Sequence, residues 1–365
     1  MVTAREDTPE DVRGDARADT AGAGAAGAAV GRAVDLTTGP PERPRTGARA
    51  AVDITGERLA ALFPGQGVQR AGLGQQWREA PDWDKVTTAV SEASGHDVAE
   101  LLLETDTEEL TRTDLAQITV YTASLLSWAE FRRAHPTAEV AAFAGHSLGE
   151  YTALVAAGAL TGADGARLGG ARGRAMAEAA RHTPGGMAAV MGAPPAEVTD
   201  LIERVRAAGG HLWIANLNSP LQTVVAGDRE AIETGGTLAR DAGWRYNVLP
   251  VAAAFHTPHM APAAQALTGA LTTVTFAPTH HPVVANADAR PHQDGPAWPA
   301  LCAHQLTSPV RWQATLHTLV HDLACTHLID LGPARTLAGL ARRTLPEIPA
   351  TAVQTIAPAR AGAGV

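Results

Sequence analysis

The chain has 365 residues, 45% of them hydrophobic, with 36 glycines and a formal net charge of −9. That length can bury a substantial core in one large domain or two smaller ones, and the acidic balance argues against a general nucleic-acid binder. Two cysteines, Cys302 and Cys325, are too few for a disulfide framework and sit in no C-x-x-C or His/Cys cluster that would hold a metal. No run of about 18 apolar residues suits a membrane span, and the first residues lack the apolar stretch of a signal peptide, so the expected compartment is the reducing cytoplasm.

Residues 1–57 are rich in Ala, Gly, Arg, Asp and Pro, contain no aromatic residue and show no period that would bury a face. They read as a disordered extension, with a misassigned start codon as the alternative; neither reading gives them chemistry. From residue 59 onward apolar strands alternate with helices, the pattern of a parallel sheet covered on both faces. The first strand, LAALF at 59–63, runs into the turn Pro64, Gly65, Gln66, Gly67. Its glycines leave main-chain N–H groups exposed, which makes the turn a candidate oxyanion donor.

The stretch VAAFAGHSLGEYTAL at 140–154 places Ser147 between Gly145 and Gly149. Small apolar residues before it suit a buried strand, and residues 150–158 read as a helix. A serine at such a strand-to-helix elbow projects its hydroxyl out of a tight turn, the geometry of an activated nucleophile. Arg172 follows in ARGRAM at 171–176, on an apparent helix. An arginine in a closed site implies an anion to meet its planar fork, whereas Arg174 suits a solvated helix face.

Between residues 185 and 251 the texture changes to strand 187–192, helix 195–208, strands 211–217 and 222–226, helix 229–242 and strand 244–251. That βαββαβ order predicts a ferredoxin-like insert. The chain then runs through LPVAAAFHTPHM at 249–260, where a strand-like segment stops at Phe255, His256, Thr257 and Pro258. Proline forbids simple continuation of a central strand, so His256 is expected at a strand end facing a cleft. From position alone its plainest reading is a histidine without chemistry; His259 reads as a surface residue. An insert that returns just before His256 would set this candidate base at the boundary of two lobes, opposite the serine.

Seven blocks carry a resemblance: PGQG, GHSLGEYTAL, RGRAM, GGMAAVMG at 185–192, NLNSPLQTVVAGD at 216–228, AFHTPHMAP, and DLGPARTLAGL at 330–340. In this order they resemble the malonyl-CoA:acyl-carrier-protein transacylases and polyketide synthase acyltransferase domains, over residues 59 to about 345. The resemblance implies an α/β fold whose α/β-hydrolase-like parallel sheet core spans 58–184 and 252–358, with the ferredoxin-like subdomain at 185–251 and a tail at 359–365. It implies Ser147 as the acylated nucleophile, His256 as general base, and Arg172 as the clamp on a free carboxylate. The N–H groups of Gln66 and Leu148 would form the oxyanion hole. A main-chain carbonyl, here that of Gln305, would orient the histidine.

The implied activity is transfer of malonyl from malonyl-CoA to the phosphopantetheine thiol of an acyl carrier protein, for fatty acid or polyketide biosynthesis. Carrier-to-carrier transfer, or editing acyl hydrolysis, is the alternative on the same fold. The partners are then the carrier protein and malonyl-CoA, with no nucleic acid, membrane, metal or redox cofactor. Acyl selectivity would fall to His146, Leu148 and Phe255, with Leu148 and Phe255 accompanying malonyl preference. Ala253 departs from the pattern, standing where malonyl-selective polyketide domains often carry histidine.

Overall fold

The computed structural model describes residues 54–353, so the expected extension through residue 53 and the tail at 359–365 lie outside the described residues. Residues 54–57 do not belong with that extension. Ile54 is buried in the main core, and Glu57 accepts a hydrogen bond from the Thr326 hydroxyl. One isoleucine followed by Thr55, Gly56 and Glu57 is too short a pattern to read as core.

Strand β1 (Leu59–Phe63) is followed by helices α1 (Trp83–Ser94), α2 (Val98–Leu103) and α3 (Thr113–Ala134), and then by β2 (Val140–Gly145). Helices α4 (Gly149–Ala157) and α5 (Gly162–His182) come next. The insert consists of β3 (Gly186–Met191), α6 (Pro195–Ala207), β4 (Leu212–Ser219), β5 (Gln222–Gly227), α7 (Arg229–Asp241) and β6 (Arg245–Val248). The chain continues through α8 (Ala261–Leu271), β7 (Val283–Val284), β8 (Pro291–His292), α9 (Trp298–Gln305) and α10 (Trp312–His317). It finishes with β9 (His327–Leu331), α11 (Thr336–Thr344) and β10 (Ala350–Val353).

Six strands form the main sheet in the order β10-β9-β1-β2-β7-β8, parallel except for the antiparallel β7-β8 edge. Every residue of β1, β2 and β9 is buried, as expected of parallel strands covered on both faces. The pleat sorts β1 by alternation: Leu59, Ala61 and Phe63 enter one core with α3, α4 and α5, while Ala60 and Leu62 enter another with α10 and α11. Trp128 sits edge-on to Phe63 and Phe143, ring centroids 6.1 and 5.7 Å away, and closes the first of these cores.

The insert's four strands run antiparallel in the order β4-β5-β3-β6. One face of this sheet, including Ala188, Val190 and Val225, packs on α6 and α7, while Met187, Ala189 and Ala226 join the main core. The insert leaves and returns at adjacent points, where the Gly185 N–H donates to the Ala252 carbonyl at 3.4 Å. The last insert strand ends at Val248 rather than 251, and residues 252–255 form a bend and a turn, not a strand. His256 therefore sits on a turn, with φ 59°, immediately before a single 3-10 turn at Pro258–Met260. Small apolar residues in this segment imitate a strand, but here they fill a packed loop.

Asp330, near the end of β9, is fully buried; its Oδ2 accepts the Ala338 N–H at 2.9 Å, and its Oδ1 has no partner among the described residues. Burial pushes this carboxyl up to about 7, against the pull of the Ala338 and Leu337 N–H groups. The folded state then holds a proton that the unfolded state releases above its ordinary value near 3.8, so the Asp330 contribution to stability is lost as pH rises from about 4 to 7. The fall amounts to a few kcal/mol, at about 1.4 kcal/mol for each tenfold change in proton affinity. Asp330→Asn is expected to flatten it. Thermal melts between pH 4 and 8 check this, and an unchanged pH slope would refute the assignment.

Candidate active site

Ser147 lies in the turn between β2 and α4 with φ 52°, a left-handed conformation that costs a non-glycine residue about 1–3 kcal/mol. The turn is forced by close approach on both sides. A Cβ on Gly145 would lie 1.9 Å from the Gly149 carbonyl carbon, and one on Gly149 would lie 2.0 Å from the Phe63 carbonyl oxygen. Asn286, fully buried just after β7, holds the turn from below. Its Oδ1 accepts the Ser147 N–H at 2.6 Å, and its Nδ2 donates to the Gly145 carbonyl at 2.6 Å.

The Ser147 hydroxyl faces His256 Nε2 at 2.8 Å, and His256 Nδ1 lies 2.9 Å from the Gln305 carbonyl oxygen. A carbonyl only accepts, so Nδ1 carries the proton and the Nε2 lone pair faces the serine. Burial, and then the nearby Arg172 charge, pushes His256 down to about 3, with the Gln305 carbonyl pulling the other way. The imidazole is accordingly neutral across the physiological range.

Arg172, on α5, is 1% exposed. Its Nη1 donates to Gln117 Oε1 at 2.7 Å, and its Nη2 donates to Gln305 Oε1 at 2.8 Å and to Ser147 Oγ at 3.1 Å. The Tyr151 ring lies beneath the guanidinium, 5.8 Å from ring centroid to carbon. These partners are all neutral, and among the described residues no carboxylate pairs with Arg172. Its Nε has no partner either, and burial lowers its pKa. A buried cation without a charged partner, beside the Ser147 hydroxyl, suits an incoming anion. Arg174, by contrast, is exposed and reaches the Ser94 carbonyl at 3.3 Å.

The Gln66 turn presses directly on the elbow, since a Cβ on Gly65 would lie 2.4 Å from the His146 carbonyl oxygen. Among the described residues the main-chain N–H groups of Gln66 and Leu148 have no hydrogen-bond acceptor, and Gln66 Nε2 is also unpartnered. Leu148 and Phe255 are buried in the main core. The His146 ring reaches the insert, with Nε2 2.9 Å from Asn218 Oδ1 and its centroid 5.4 Å from that of Trp312. His259 is not a free surface residue: it is half-buried edge-on to Trp213 at 5.0 Å, with Nε2 3.4 Å from Asp228 Oδ1.

Ser147, His256, Arg172 and Gln305 thus converge. Sequence reasoning missed the polar groups beneath them, namely Gln117, Asn286 and Glu150. Glu150 is 1% exposed. Burial raises it to about 8, and the Asn286 N–H, Arg172 and the Gln305 amide restrain the rise. Gln117 gave a faint signal, an amide in the helical run LAQITV with no polar face to expose it. Among the described residues no group of three or more His, Cys, Asp or Glu side chains could hold a metal ion, and no helix is long and apolar enough to cross a membrane.

The family model described as "Acyl transferase domain" matches residues 61–361. The chain belongs to this family. This acyl transferase is 35% identical over 298 residues to the malonyl CoA-acyl carrier protein transacylase of Salmonella typhimurium, covering 81% of this chain and 96% of the relative. The protein of the same name from Mycobacterium tuberculosis is 36% identical over 300 residues, with 81% and 96% covered. Among solved structures, the malonyl-CoA:acyl carrier protein transacylase of Xanthomonas oryzae pv. oryzae superposes with a TM-score of 0.77 at 36% identity, covering 82% of this acyl transferase and 95% of that chain. A malonyl-transacylase solved in complex with its type II PKS acyl-carrier protein matches with a TM-score of 0.77 at 32% identity, over 82% and 96% of the chains.

Proposed function

We propose that this acyl transferase moves a malonyl group from malonyl-CoA to the phosphopantetheine thiol of an acyl carrier protein through an acyl ester on Ser147. The observation that carries the reading is the buried Arg172 guanidinium, 3.1 Å from Ser147 Oγ and surrounded by neutral acceptors. An acyl group with a free carboxylate supplies the missing anion, and a bidentate charge-assisted pair fixes its direction. The relatives' names and the carrier complex of one structural neighbour support the same assignment.

In the first half-reaction His256 Nε2 takes the Ser147 proton as Oγ attacks the thioester carbonyl. The N–H groups of Gln66 and Leu148 receive the oxyanion. Collapse expels the CoA sulfur, which takes the proton back from His256, and malonyl remains on Ser147. In the second half-reaction His256 takes the proton of the carrier thiol, the thiolate attacks the ester, and Ser147 recovers its proton. Each step moves only a proton or an acyl group, so the reading calls for no metal or redox cofactor.

Leu148 and Phe255 limit the space near the acyl α-carbon in this reading, with His146 at the insert side of the same pocket. One added methyl is worth about 1–3 kcal/mol there, so methylmalonyl is disfavoured rather than excluded. The buried free thiols of Cys302 and Cys325 suit the reducing cytoplasm.

Incubation with malonyl-, methylmalonyl- or acetyl-CoA followed by intact-mass measurement tests the reading. The expected result is a malonyl adduct that discharges on adding a holo acyl carrier protein. Absence of any adduct from the three thioesters would overturn it in favour of carrier-to-carrier transfer, and discharge to water at the same rate without carrier would indicate a hydrolase.

A further inference from the structure

Glu150, the second residue of α4, takes no part in the acyl-transfer steps, yet its carboxyl is buried directly behind them. Oε2 accepts the Asn286 main-chain N–H at 2.6 Å, and Oε1 accepts Gln305 Nε2 at 2.9 Å. The same Gln305 nitrogen donates to the Ser147 carbonyl at 2.9 Å, while Gln305 Oε1 accepts Arg172 Nη2 at 2.8 Å. A side-chain amide can be flipped end for end, and a flip here would set its NH2 group against the guanidinium, donor against donor. Both Glu150 oxygens receive N–H donors and the Ser147 carbonyl can only accept, so these contacts fix the Gln305 orientation that Arg172 requires.

We propose that Glu150 is a positioning residue: through the Gln305 side-chain amide it aims Arg172 at the carboxylate of a dicarboxylic acyl group. The inference rests on the malonyl reading above. Its consequence lies in substrate discrimination rather than in the dyad, because His256 is held by the Gln305 main-chain carbonyl, which a change in the side-chain amide does not remove.

Glu150→Gln is the diagnostic change, since it keeps shape and loses one acceptor. The fixed Asn286 N–H claims the remaining oxygen, so the new NH2 faces Gln305 Nε2 and drives that amide to retreat or flip away from its contact with Arg172. The rate of Ser147 loading, followed by intact mass, is then expected to fall for malonyl-CoA by about tenfold more than for acetyl-CoA, the scale of one buried group left unsatisfied. In an Arg172→Ala background Glu150→Gln should leave the malonyl-to-acetyl ratio where Arg172→Ala alone puts it. A ratio equal to that of the unsubstituted protein, or a further shift without Arg172, overturns the proposal. If the Glu150 variant does not fold, Gln305→Met carries the same comparison, because it deletes the amide and keeps the carbonyl that holds His256; an equal loss with both thioesters again overturns it. Unsubstituted protein that shows no malonyl preference would sink the proposed function and this inference together, whereas a normal preference with an unmoved variant ratio sinks the inference alone.

Discussion

Ser147→Ala protein is expected to acquire no malonyl mass from malonyl-CoA and to lose about 10⁵-fold or more in transfer rate, the scale seen when a nucleophile that acts as a unit with its base is removed. No neighbouring group can take over. Among the described residues, the Ser147 hydroxyl alone meets both His256 Nε2 and Arg172 Nη2, at 2.8 and 3.1 Å. The fold should survive, because alanine tolerates the 52° φ no worse than serine and the Asn286 side chain bonds only main-chain groups of the elbow, the Gly145 carbonyl and the residue 147 N–H. The check is intact mass after incubation, with a thermal melt alongside. A malonyl adduct on the alanine protein would show that another residue is acylated.

Arg172→Ala is expected to lower malonyl loading by about 10³-fold, the scale of a charged pair broken in a desolvated site. Acetyl loading should fall far less, or rise. Two effects separate the substrates: acetyl has no carboxylate to lose a partner, and removing the cation relieves the charge that holds His256 down, making it a stronger base. The substitution also strips a donor from Gln117 Oε1 and Gln305 Oε1, both buried, so some stability is lost with either substrate. The informative quantity is therefore the ratio of the two loading rates within one protein. Arg172→Lys should recover part of the malonyl rate, since an ammonium cannot span both amides and still present a planar fork. Equal losses with both thioesters would reduce Arg172 to a structural role.

Much of this was legible in the chain because local and global requirements coincide there. The elbow declares itself through Gly145 and Gly149, where an added Cβ would lie within about 2 Å of backbone atoms. The insert declares itself through its alternation of strand and helix periods, and the structure differs from that reading by one to three residues at most element ends. The segment 251–255 misled because small apolar residues serve a buried loop as well as a strand, and its tie from the Ala252 carbonyl to the Gly185 N–H spans the whole insert. His259 misled for the same reason, its environment being Trp213 and Asp228 from the insert. The polar network of Gln117, Glu150 and Asn286 had no spacing to betray it. Its members come from α3, α4 and the loop after β7, and apart from the apolar run around Gln117 nothing near them in sequence announces burial.

Strand β1 is made first among the described strands but lies inside the main sheet, with Leu59 beside Val140 of β2 on one side and beside His327 of β9 on the other. During synthesis the first edge can be matched early, but the second stays open until nearly the entire chain has left the ribosome. An apolar strand with an unpaired edge invites pairing with other chains, and such non-local closure is slow. Gln305, whose carbonyl meets His256, also emerges late, more than 150 residues behind Ser147. Chains cut between Asn286 and Gln305 keep the groups that hold the elbow but lack the carbonyl that meets His256, so in the proposed mechanism the dyad is completed later than the turn that carries its serine.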